Sequence, residues 1–117
     1  LMRARSSPGV IINTASIAAF APMTADPAYS ASKAGIVNFT QSCASVQEAF
    51  NIRVMAVCPG MTDTAIVPYE AEWLQPALAS TELLQPEDIA DSVKKIIEDD
   101  SVTGDYVIVA NQPIGEQ

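Results

Sequence analysis

Two short, continuous apolar runs set the rhythm of the chain. Gly9 to Asn13 reads Gly-Val-Ile-Ile-Asn, and Asn51 to Pro59 reads Asn-Ile-Arg-Val-Met-Ala-Val-Cys-Pro. Runs of this kind, rich in β-branched residues and without alternation, predict strands buried on both faces of a parallel sheet. Between them, the segment from Pro27 to about Phe50 predicts a helix. Asp26 is a good N-cap and Pro27 suits the first helical position. Its apolar positions Ile36, Val37, Phe39, Cys43, Ala44 and Val46 cover a broad face, with the small residues Ala31, Ala34, Gly35 and Ser42 lining much of the rest. So few charges before Glu48 predict a helix buried on more than one side, against its own sheet and against a partner subunit. Strand, helix, strand is a βαβ unit with parallel strands, so both strand ends open on the same edge of the sheet.

The loop from Ile17 to Ala25 is apolar for a loop, with Phe20, Pro22 and Met23, and is expected to pack over something. From Ala65 to Leu84 the chain reads as irregular or weakly helical, with Tyr69, Trp73, Leu74 and Leu78. It fits either a lid facing substrate or an amphipathic helix resting on the core. Gln85-Pro86-Glu87-Asp88-Ile89 opens a further helix, with proline first and acids in the first turn, and a predicted buried stripe of Ile89, Val93, Ile96 and Ile97. Thr103-Gly104 turns into a last strand, Tyr106 to Ala110, and the tail from Asn111 is expected to be mobile. With no repeats, low-complexity stretch or linker, residues 1–117 read as one structural unit.

Composition narrows the function. The chain has 117 residues, 49% of them hydrophobic, enough for one modest core but small for an enzyme that binds both a cofactor and a substrate. Fourteen acidic against six basic residues give a formal net charge of −8, which argues against nucleic acid or an anionic membrane surface as a partner. No apolar run approaches the roughly 20 residues of a membrane span, and no signal-peptide pattern is present, so a cytoplasmic location is expected. Cys43 and Cys58 are isolated and there is no histidine, so no metal site is expected and a Ser-His-Asp or Cys-His mechanism within these residues is excluded. Asn38-Phe39-Thr40 matches a glycosylation sequon but falls inside the predicted helix, where it reads as chance.

The candidate chemistry lies at the strand ends and at the start of the long helix. Thr14, Ala15 and Ser16 follow the first strand at the edge where open α/β sheets bind ligands, although a loop serine can equally satisfy its own backbone. Tyr29 and Lys33 stand four residues apart, on one face of the first helical turns. A cation beside a phenol favours the phenolate, which suits tyrosine to acid/base work; the plain alternative is two unrelated residues at a helix start. Pro59-Gly60, followed by Met61-Thr62-Asp63-Thr64, offers a turn, backbone amides and hydroxyls at the same edge.

Taken together, Asn-Thr-Ala-Ser16, Tyr29-Ser-Ala-Ser-Lys33 and Pro59-Gly60-Met-Thr62-Asp-Thr64, in that order and spacing, resemble the second half of a short-chain dehydrogenase/reductase. The likeness covers nearly the whole chain. The wording Ala-Tyr-Ser-Ala-Ser-Lys-Ala-Gly-Ile-Val-Asn-Phe-Thr, with Ile-Glu-Asp-Asp later, is similar to the hydroxyprostaglandin dehydrogenase branch, which oxidises secondary alcohols with NAD. The resemblance implies the C-terminal half of a Rossmann-like, doubly wound parallel α/β sheet. It implies an oxidoreductase exchanging a hydride between a secondary alcohol or ketone and NAD or NADP, with NAD favoured. Tyr29 is then the general acid/base. Lys33 holds the ribose hydroxyls and supports the phenolate, and Ser16 donates a hydrogen bond to the substrate oxygen. Gly60, after Pro59, lets the backbone approach the nicotinamide, with the Thr62 backbone and the Thr64 hydroxyl placed for its carboxamide and the pyrophosphate. A homodimer or homotetramer through the long helix and a small, apolar substrate are implied as well.

The family's glycine-rich dinucleotide turn, its NAD or NADP selector, its Asn-Ala-Gly segment and its helix asparagine would all lie upstream of Ser16, and none is present. The chain, which opens at Leu1 in what reads as a helix end, is therefore expected to be a C-terminal fragment or a truncated gene product lacking the adenosine pocket. A competing reading makes it a non-catalytic module that pairs with a full-length relative through the apolar helix. A hydrolase using Ser16 lacks a base and a Gly-x-Ser-x-Gly turn.

Overall fold

The computed structural model describes residues 7–101 and 105–114. A three-stranded parallel sheet forms its centre, in the order β1 (Gly9–Thr14), β2 (Ile52–Pro59), β4 (Tyr106–Val109). The register pairs Gly9 with Ile52 through Thr14 with Val57, and Ala56 with Tyr106 through Pro59 with Val109. β2 lies between the other two and is buried from Ile52 to Cys58, which is why its sequence is apolar throughout that stretch but for Arg53. The two faces of β2 feed two cores. Ala56 and Cys58 pack with Ala15 and Val37, on the side of α1 (Pro27–Ser42). Met55 and Val57 pack with Ile96 of α4 (Pro86–Glu98), joined by Val10, Ile12, Ile89, Val93, Val107 and Val109. Helices on both faces of a parallel sheet are the expected doubly wound α/β arrangement.

The long helix departs from the expectation in one respect. It breaks at Cys43 into α1 and α2 (Ala44–Phe50). The Thr40 hydroxyl donates to the Ile36 carbonyl and that of Ser42 to the Asn38 carbonyl, while the Cys43 amide reaches Phe39, Gln41 and Thr40 carbonyls together. Hydroxyls that bond back along a helix compete with its ladder and bend it. α2 ends at Asn51, whose φ of 55° is the left-handed conformation that stops helices. The predicted apolar face is also narrower than expected: Val37 and Thr40 are buried, whereas Phe39 is 62% exposed.

The segment after β2 holds a 3-10 turn at Glu72–Leu74, α3 (Gln75–Ser80) and β3 (Thr81–Glu82). Leu74 is buried and Trp73 exposed. α4 begins as expected, with Gln85 as N-cap and a reciprocal bond in which the Asp88 carboxylate accepts the Gln85 amide at 2.8 Å. Ile97 is not part of the buried stripe but half-exposed, since the face set by Ile89, Val93 and Ile96 leaves it on the rim. The α4 end is held instead by the buried Arg53, which donates to the Ile96 carbonyl at 2.9 Å and the Ile97 carbonyl at 3.3 Å.

Over residues 111–114 the tail from Asn111, read from sequence as a mobile end, carries defined pairing. β5 (Gln112–Pro113) pairs antiparallel with β3, and Asn111 is bound on three sides. The Thr103-Gly104 turn and the helix end expected near Leu1 lie outside the described residues.

Candidate functional site

The β1–β2 ladder continues one residue beyond β1, with the Ala15 amide donating to the Val57 carbonyl at 2.8 Å. Continued once more, that register sets Ser16 beside Pro59, at the carboxyl ends of two parallel strands. Ser16 is buried and caps the 3-10 turn Ile17–Ala19, its Oγ accepting the Ala18 amide at 3.1 Å. That is the backbone-satisfying bond a loop serine was expected to make, and it leaves the hydroxyl proton available for donation. The Ser16 backbone also lies against the Cys58 sulfur, and burial pushes the Cys58 thiol above its ordinary range.

α1 is tied to this edge at two points. Ser30 Oγ donates to the Ala18 and Ala21 carbonyls, fixing the first helical turn over the loop that follows Ser16. One turn on, Lys33 Nζ donates to the Thr14 carbonyl at 3.3 Å. Tyr29 immediately precedes the first of these ties in sequence. Its amide is capped by Asp26 Oδ1 at 3.1 Å, its ring is 40% exposed, and Lys33 Nζ lies 5.6 Å from the ring centroid. The i, i+4 spacing thus gives the shared face it predicts, and Lys33 connects that face to the end of β1.

The third group stands at the end of β2. The Gly60 amide donates to the Val109 carbonyl at 2.8 Å, the Met61 amide to Asn111 Oδ1 at 2.7 Å, and the Asp63 amide to the Leu84 carbonyl at 2.8 Å. From Gly60 to Asp63, the Thr62 N–H alone is left without an acceptor among the described residues. The Thr62 hydroxyl turns back on the Gly60 carbonyl at 3.1 Å, while Thr64 is half-buried and its carbonyl accepts the Val67 amide. Beyond them, the Tyr69 hydroxyl donates to the Asp63 carboxylate, which pushes the phenol above its ordinary range.

Asn111 is the residue that the sequence reading missed. It sits just past β4, at the carboxyl edge that singled out Ser16 and Gly60, and its position on that edge was the available signal. Among the described residues no His, Cys, Asp and Glu grouping could hold a metal ion, and no helix is long and apolar enough to cross a membrane.

The sequence pattern of the short chain dehydrogenase family matches residues 1–75. The chain is 38% identical over 104 residues to 3-hydroxyacyl-CoA dehydrogenase type-2 of Bos taurus, covering 85% of this chain and 40% of that protein. It is 34% identical over 111 residues to the NAD(+) 15-hydroxyprostaglandin dehydrogenase of Homo sapiens, covering 82% of this chain and 41% of that protein. Among solved structures, 3-oxoacyl-(acyl-carrier protein) reductase of Brucella melitensis superposes with a TM-score of 0.77 at 31% identity, covering 93% of this chain and 43% of that one. A parallel sheet with helices on both faces, and a match of this extent, make the chain a member of the short-chain dehydrogenase family. It spans about 40% of the length of the curated relatives it matches.

Proposed function

We propose that this chain carries the catalytic set and the nicotinamide side of the site of a dehydrogenase/reductase that interconverts a secondary alcohol and a ketone. The observation that carries the reading is the joint placement of Lys33: its ammonium is bonded to the Thr14 carbonyl at the end of β1 and lies 5.6 Å from the Tyr29 ring. The relatives named as dehydrogenases and reductases support the same chemistry.

The donors fit the nicotinamide riboside end of a dinucleotide. Lys33 would hold the ribose hydroxyls, the Thr62 N–H would meet the carboxamide, and the Thr64 hydroxyl would reach the pyrophosphate, with Pro59 and Gly60 shaping the turn that bears them. When bound, NAD or NADP supplies the hydride acceptor or donor; the relative named for NAD(+) favours NAD. Everything else is work for side chains of this chain. Ser16 donates a hydrogen bond to the substrate oxygen and so fixes the reacting carbon. Tyr29 Oη takes the alcohol proton during oxidation and returns it to the carbonyl oxygen during reduction.

The apolar character of the segment from Ala65 to Leu84 supports a small, apolar alcohol or ketone as substrate. The exposed Phe39 on α1 supports assembly as a homodimer or homotetramer through that helix. The test is turnover by the natural polypeptide that carries these residues, assayed with a panel of secondary alcohols and ketones and with NAD and NADP in parallel. Nucleotide-dependent oxidation or reduction of at least one pair is expected. Tight binding of neither nucleotide would contradict the reading and favour a non-catalytic pairing module.

A further inference from the structure

We propose that Asn111 is the positioning residue that sets the backbone from Gly60 to Thr62 for the nicotinamide, an inference that rests on the function proposed above. A single side chain brackets that turn. Asn111 Oδ1 accepts the Met61 amide at 2.7 Å, and Nδ2 donates to the Met61 carbonyl at 2.7 Å and to the Glu82 carbonyl at 3.0 Å. Both backbone groups of Met61 are thus read by one carboxamide, as a strand neighbour would read them, and the turn is tied to β3 through the same group. Apart from the Thr62 hydroxyl on the Gly60 carbonyl, the other bonds of the segment come from backbone: Val109 accepts from Gly60, Leu84 donates to the Met61 carbonyl at 2.9 Å, and Leu84 accepts from Asp63.

The consequence is a sorting of amides. With the Gly60, Met61 and Asp63 N–H groups engaged, the Thr62 N–H is the donor left for a ligand at the strand edge. Loss of the Asn111 bracket frees the Met61 amide and leaves the Met61 carbonyl on the Leu84 amide alone, so the Met61–Thr62 peptide is held by one bond in place of two and the Thr62 donor is less firmly directed.

The same bracket explains why position 60 is glycine. A Cβ on Gly60 would lie 2.0 Å from Asn111 Oδ1 and 2.9 Å from its Cγ. The backbone of Gly60 does not need a left-handed conformation, so the requirement for glycine here is close approach to the carboxamide.

The experiment compares the affinity of the natural polypeptide for NADH with its affinity for ADP-ribose, which lacks the nicotinamide, by isothermal titration. NADPH and 2′-phospho-ADP-ribose replace them if the wild type prefers the phosphorylated nucleotide. Asn111→Ala should weaken NADH binding by about tenfold, the worth of one to two hydrogen bonds, and leave ADP-ribose binding within about twofold. Gly60→Ala should give the same selective loss, and the loss should shrink in the Asn111→Ala background, because the obstructing carboxamide is gone. If Asn111→Ala does not fold, Asn111→Asp decides: it keeps the acceptor for Met61 but turns carboxylate oxygens toward the Met61 and Glu82 carbonyls, and the same selective loss is expected.

Unchanged NADH affinity, or an equal loss for both ligands, would overturn the positioning role while leaving the proposed function standing. A wild type that binds neither ligand would overturn both.

Discussion

Lys33 and Thr14 join the long helix to the end of the first strand: the ammonium of one donates to the backbone carbonyl of the other at 3.3 Å. The bond does for Lys33 what packing does for a core residue, since a long, flexible side chain otherwise ranges over several ångströms. Lys33→Met is expected to raise the nucleotide KM by about tenfold or more, the scale of one lost charge-assisted hydrogen bond, and to lower kcat as well. Lys33→Arg should not restore either value, because a planar guanidinium cannot replace a compact ammonium over that carbonyl. Steady-state kinetics of the two variants check this.

Asn13 and Thr40 form a second tie between β1 and α1. Thr40 is fully buried, its Oγ1 accepting from Asn13 Nδ2 at 3.0 Å and donating to the Ile36 carbonyl at 2.9 Å. Thr40→Val keeps the shape and removes both bonds, leaving the half-buried Asn13 amide without its partner, at a cost of about 1–3 kcal/mol. Urea unfolding should show that loss. Adding Asn13→Ala should cost less than it does in the wild-type background, since the two residues share one interaction.

Ile96 and Ile97 are adjacent in sequence and opposite in consequence. Ile96 is 4% exposed and packs with Met55 and Val57, whereas Ile97 is 52% exposed. Ile96→Ala is expected to destabilise the chain by about 2–5 kcal/mol. Ile97→Ala should stay within about 0.5 kcal/mol. Chemical denaturation of both variants separates the two positions.

The two cysteines should differ in reactivity. Cys58 is fully buried between Ala56 and Pro59 on β2, and burial raises its thiol above the ordinary range, which suppresses the reactive thiolate. Cys43, half-exposed at the break between α1 and α2, has no such burial. In native protein, iodoacetamide should label Cys43 first, with Cys58 reacting at a comparable rate only after unfolding; peptide mapping by mass spectrometry reads the order.

Much of this was visible in the residues because local rules and the global fold agree. The apolar runs at Val10-Ile11-Ile12 and Ile52 to Val57 form parallel strands as they predict, although two-faced burial holds for β2 alone and Ile11 on β1 is 43% exposed, and Asp26-Pro27 opens the helix it suits. Two parallel strands then place Ser16 and Gly60 on one edge by geometry alone. The misreadings arise where hydrogen-bond partners, near or distant along the chain, override the pattern of apolar positions. The break at Cys43 depends on hydroxyls choosing carbonyls one turn back, which a count of apolar positions cannot see. Asn111 looked like the start of a loose tail because its partners, Met61 and Glu82, lie 50 and 29 residues away. The exposure of Phe39 follows from only one face of α1 meeting β1 and β2 in this chain.

The central claim is that Tyr29 moves the proton of the reacting alcohol. Single-turnover hydride transfer in the natural polypeptide, comparing wild type with Tyr29→Phe at saturating nucleotide and alcohol, tests it most directly. The ring and its contact with Lys33 survive in the variant and only the hydroxyl is lost. The account predicts a rate about a hundred- to ten-thousand-fold lower, the range of general acid/base contributions, with nucleotide affinity changed little. A hydride-transfer rate in Tyr29→Phe equal to that of the wild type would contradict it.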